Sequence, residues 1–176
     1  AAPPPEPRHS RKEPMPLRTA LQDTRLIAAL LTTAEQEARA LGDAEPGAEH
    51  LLLAALLVND PSAREALATL AAVDAAAVRS AIVAVYSASL ADLGVAAPQL
   101  DPALPPASGA YRSEVSAQEV FQRARILSRR SRSGLRSAHV LRAAAERERG
   151  TVARLLASLA LERDAVLAAA AAAVPD

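Results

Sequence analysis

Two short runs place an imidazole at the same point of an apolar stretch. They are Glu49-His50-Leu51-Leu52-Leu53 and Ala138-His139-Val140-Leu141, with the histidines 89 residues apart. A histidine beside a carboxylate is raw material for a metal site or a general base. A metal site on a helix needs a second ligand about one turn away, and neither histidine has one three or four residues on. Cysteine is absent, which removes thiolate ligands, thiol nucleophiles and disulfides together. The favoured reading is structural: each ring sits at the start of its helix and bonds a neighbouring backbone group through one nitrogen. His9 lies among prolines, and no serine stands in a nucleophile-elbow sequence. There is also no Gly-x-x-x-x-Gly-Lys-Ser/Thr loop, and Lys12 is the only lysine, so nothing could set an ammonium against a nucleotide's phosphates. No enzyme, no nucleotide motor, no metal and no cofactor are expected.

Two further residues stand at helix starts. Glu49 falls in the first turn of its helix, facing unsatisfied amides, and Thr24 falls where the first helix is expected to begin. In those places a threonine is ordinarily an N-cap and a glutamate offsets the helix dipole, each contributing about 1 kcal/mol or less. The third feature is the cluster Arg123, Arg125, Arg129, Arg130, Arg132 and Arg136. Such a patch could bind phosphate backbones by counterion release, but bases also need stacking platforms, and aromatics make up only 2% of the chain. It reads rather as a solvated helix face, or as a dock for an acidic partner or the acidic half of a second copy. A nucleic-acid or regulatory binder using this patch remains the alternative function.

The elements that position these residues are helices. Hydrophobic residues are 51% of the chain, and with so few aromatics the core must be Leu, Ala, Val and Ile, a mixture rich in strong helix formers. Ile27, Leu30, Leu31, Ala34, Ala38 and Leu41 recur at helical steps and predict a first helix from about Asp23 or Thr24, stopped by Gly42. A second is predicted over 49–58, a third after Asp60-Pro61 to about Leu70, and a fourth from Ala75, capped by Asp74, to about Leu90. The order then repeats with helices over about 116–131, 137–147, 150–159 and 162–174, Ser137 serving as an N-cap. The expectation is an all-α domain of two pseudo-symmetric four-helix repeats, at 17–92 and 113–176, joined by a proline-containing linker at 93–112 and preceded by a disordered Pro-rich tail at 1–16. Charge divides with the repeats: five arginines against eleven acids from Leu17 to Ala110, and twelve against seven from Tyr111 onward. With no leader pattern at the start and Ala165–Val174 too short to span a bilayer, a cytoplasmic protein without a membrane partner is expected.

Leu41-Gly42, the run Gly47-Ala48-Glu49-His50-Leu51-Leu52-Leu53 and the helix ending Leu67 to Leu70 resemble the N-terminal substrate-receptor domain of bacterial Clp-type unfoldases. Ser137-Ala138-His139-Val140-Leu141, with Val152, Leu155 and Leu156, resembles that domain's second repeat. The resemblance covers roughly 24–174 and implies an all-helical, non-enzymatic module that binds peptides, adaptors or Clp unfoldase and protease components, and modulates proteolysis. It implies a phosphoarginine pocket built on Glu49 and Thr24, a carboxylate for the guanidinium with hydroxyl and helix-start amides for the phosphoryl oxygens. The matching positions of the second repeat are Glu114 and Ala138, so there the pocket is lost. Family members also take cyclic-peptide antibiotics where aromatic residues start the two first helices. Asp23 and Ser113 stand there in this chain, which leaves a decoy role as a further alternative.

Overall fold

A computed structural model describes residues 17–94 and 113–174, so the Pro-rich tail, most of the linker and the last two residues lie outside the described residues. Among the described residues the chain forms eight helices and no strand. They are α1 (Leu17–Ala40), α2 (Ala48–Leu57), α3 (Ser62–Ala68), α4 (Ala75–Asp92), α5 (Val115–Ser128), α6 (Ser137–Ala145), α7 (Thr151–Ser158) and α8 (Arg163–Ala172).

The two histidine helices form the centre. Every residue of α2 except Leu57 is buried, as a helix apolar on all sides must be, and all of α6 except Arg142 is buried as well. They pack on each other, with α1 and α4 flanking α2 and α5 and α8 flanking α6. The third helix of each repeat crosses over: α3 lies on α6 and α8, and α7 lies on α2 and α4. Exchange of the halves maps each of these contacts onto another, which is the signature of a pseudo-two-fold axis between α2 and α6.

Most helix boundaries follow the local signals. Gly42 adopts φ 87°, a left-handed stop that lets the Asp43 amide donate to Ala38 O at 2.8 Å. Asp74 caps α4 by accepting from the Ala77 amide at 2.8 Å. The start of α1 differs from expectation. The helix is already formed at Leu17, and the Thr24 hydroxyl donates to Ala20 O at 2.9 Å, the back-bond of a mid-helix threonine.

Ser137 departs too, because its hydroxyl does not cap its own helix. Ser137 Oγ accepts from the Ala63 amide at the start of α3 (3.1 Å), and Ser62 Oγ accepts from the Ala138 amide in α6 (3.0 Å), so each serine serves a helix of the other repeat. Asp60 holds the exchange together. Its Oδ1 accepts from the Ser62 amide (3.0 Å) and from Ser137 Oγ (2.7 Å), and its Oδ2 accepts from Arg136 Nε. Burial alone would raise the Asp60 carboxyl, but hydrogen bonds from Ser62, Ser137 and Arg136 outweigh it and hold the group below the ordinary aspartate value.

Helix α4, unlike the run Ala165–Val174, is long and apolar enough, by length and composition, to cross a bilayer. In this fold Val78, Ile82 and Val85 enter the core, and Arg79 donates twice to Glu37 of α1, at 2.8 and 2.7 Å. Its other face is left largely uncovered.

Candidate functional site

Both histidines do the structural work expected of them. The Gly47 amide donates to His50 Nδ1 at 2.9 Å, and the Arg136 amide donates to His139 Nδ1 at 3.0 Å. Each ring thus satisfies the backbone just before its helix, an imidazole version of the capping box. For His139, burial is the largest influence and lowers its pKa, so the ring stays neutral.

Around His50 the structure adds groups that local spacing did not disclose. Asp43, Glu49 and His50 bring three donor atoms within 4.8 Å of one another. Because His50 Nδ1 accepts a hydrogen bond, the neutral ring carries its proton on Nε2, which leaves no lone pair there for a metal. His50 Nε2 instead stands 3.2 Å from Asp43 Oδ2. The angle is too poor for a hydrogen bond, and both atoms are buried without one, so this is a charge–dipole contact.

Glu49 is only 6% exposed, and its Oε1 accepts from the Tyr86 hydroxyl of α4 at 2.6 Å. Burial first, and then the hydrogen bond and charge of Glu49 with Asp43 behind it, push the Tyr86 phenol well up. Tyr86 therefore remains a donor. The α5 side supplies a second carboxylate. Glu114 donates its amide to Pro46 O at 3.1 Å, and Ser116 Oγ accepts from the Ala48 amide at 3.2 Å. A Cβ on residue 47 would lie 2.7 Å from Glu49 Oε1 and 3.0 Å from Glu114 Oε2, so only glycine lets the two carboxylates converge, buried Glu49 within and exposed Glu114 at the rim of this niche. No arginine pairs with Asp43, Glu49 or Glu114 among the described residues.

No hydrogen bond joins Thr24 to Glu49. Thr24 is exposed on α1, and its neighbour Asp23 reaches the opposite repeat, where Asp23 Oδ1 accepts from the Leu135 amide at 2.8 Å. Gly134, at φ 72°, allows that approach, since a Cβ there would fall 2.5 Å from Asp23 Oδ1. The first helices therefore reach across to the other repeat: α5 packs on α2, and α1 reaches the turn that precedes α6. This crossing sets Glu114 beside Glu49. Two of the helix-start amides that would hold a phosphoryl group are already engaged, Gly47 by His50 and Ala48 by Ser116.

The arginine cluster separates into two kinds. Arg123 pairs with Glu146, and Arg136 with Asp60. Arg125, Arg129, Arg130 and Arg132 are exposed around the end of α5 with no ion pair among the described residues. Phe121 packs against the core, so it offers no stacking platform beside them.

No curated protein matches the chain at a significant level. A scan of protein families matches residues 24–159 to the Clp repeat (R) N-terminal domain. That match covers most of the chain, and the all-helical fold agrees with it. The chain belongs to the Clp repeat N-terminal domain family, and so carries a non-catalytic, Clp-associated protein-interaction module.

Proposed function

We propose that this module captures protein segments for Clp-type proteolysis and grips them by an arginine side chain at the Glu49–Glu114 niche. The observation that carries the reading is the set of unpaired carboxylates there: a nearly buried Glu49, Glu114 beside it and Asp43 behind, with no cation of the chain itself among the described residues. A buried carboxylate strongly favours a positive partner. A planar guanidinium can donate to two carboxylates at once. The same surroundings disfavour a phosphoryl group, because Glu114 would repel it and the Gly47 and Ala48 amides are occupied. Unmodified arginine is thus the form the niche accepts, and phosphoarginine is the form it resists. Adaptors and Clp components that present such a side chain are the partners this reading implies.

Calorimetric titration with a Gly-Ser peptide bearing one arginine tests the proposal. Glu49→Gln is expected to weaken binding about tenfold or more, the loss of one charge-assisted pair. Thr24→Ala is expected to change little. Equal affinity after Glu49→Gln would remove the niche from the mechanism.

A further inference from the structure

Alongside the niche runs a cleft of about 620 Å³ lined by Leu41 and Asp43 from the α1–α2 turn, Val83, Tyr86 and Leu90 of α4, and Arg154 of α7. Its walls are mainly apolar, and they belong to the face of α4 that the core leaves uncovered. Opposite charges line the cleft. Asp43 and Tyr86, whose hydroxyl leads to Glu49, form one wall. Arg154, from α7, donates to Ser89 Oγ at 2.7 Å and makes no ion pair among the described residues.

We propose that this cleft seats an aliphatic side chain next to the captured arginine, so that the module reads an arginine–aliphatic pair in an extended protein segment. The inference rests on the reading that Glu49 takes the arginine. With the guanidinium drawn to Glu49, the neighbouring residues meet Val83 and Leu90, beside Arg154, whose guanidinium suits the segment's carbonyl oxygens. An aliphatic side chain placed there is removed from water against surfaces that otherwise face solvent. Burying most of a leucine in this way corresponds to roughly a tenfold gain in affinity.

The test compares two Gly-Ser peptides that each carry one arginine, with leucine or with serine at the neighbouring positions. The leucine peptide is expected to bind about tenfold more tightly to the parent protein. The difference should collapse to within about twofold in Val83→Ser combined with Leu90→Ser. Val83→Ser alone, at a position already 36% exposed, should reduce the difference without a risk of misfolding. No gain from leucine, or a gain that persists in both variants, overturns the inference. In that outcome, retained dependence on Glu49 shows that arginine capture still stands, whereas loss of both dependences removes the underlying reading as well. Concentration-dependent dimerisation in sedimentation that Val83→Ser abolishes would assign the cleft to a second copy, and would also overturn the proposal.

Discussion

Asp60→Ala is expected to cost about 3 kcal/mol of folding stability, the upper range for losing hydrogen bonds to a charged group, since several donors lose their acceptor at once. The residue is short and mostly buried, and five donors converge on it from both repeats: the Ser62 and Ser137 amides, the Ser62 and Ser137 hydroxyls and Arg136. Without the carboxylate, the Arg136 guanidinium loses its counter-charge and the two serines lose the acceptor that orients them toward each other's helices. Urea unfolding should show the midpoint fall with little change in slope. A loss under about 1 kcal/mol would mean that the serine exchange holds the repeats together unaided.

The same group gives the protein an acid-sensitive seam. Asp60 is held below its unfolded value, so its contribution is complete above the unfolded pKa and is lost as pH falls through the folded one. His139 acts earlier and in the same sense. Its folded pKa is also depressed, so its contribution is present above the unfolded value of 6.5 and declines as pH falls below it. Stability should therefore decline on acidification in two stages, and Asp60→Asn should flatten the lower one.

Leu52→Ala and Leu141→Ala are expected to cost about 3 kcal/mol each, the usual cost of a cavity left by a fully buried leucine. They occupy matching places two residues after each histidine, and their exposures are 1% and 0%. Arg142 stands where the first repeat has the buried Leu53, and its partly exposed side chain pairs only loosely with Glu146 at 3.7 Å. Arg142→Ala should accordingly change stability by about 0.5 kcal/mol or less. If either leucine variant were nearly neutral, that half would not share the common core.

These contrasts mark what the sequence made legible. Helix order was readable because the caps and stops are local: Gly42 ends α1, Asp74 opens α4, and the apolar faces recur at helical steps. The histidines were readable for the same reason, since each ring bonds a backbone group three residues away. Thr24 misled because a threonine looks the same at an N-cap and in mid-helix. Its role depends on whether the chain before it is already helical.

The site was far less legible, since its parts arrive from four places. Asp43 comes from a turn, Tyr86 from α4 37 residues beyond Glu49, and Glu114 from α5 of the other repeat. Along the sequence Glu114 is the counterpart of Thr24 in a lost pocket. The crossing of the first helices instead sets it against Glu49, and that relation is tertiary, with no trace in local spacing. Ser137 shows the same limit: a good N-cap residue is spent on a helix 74 residues away in the chain.

The most direct measurement of the capture mechanism is a calorimetric comparison of one Gly-Ser peptide in two forms, with arginine and with phosphoarginine at the same position. The unmodified form is expected to bind more tightly, with Glu49→Gln removing most of the difference, because the added phosphoryl group meets Glu114 and finds the Gly47 and Ala48 amides already bonded. Tighter binding of the phosphoarginine peptide, or no binding of either form, would contradict the account.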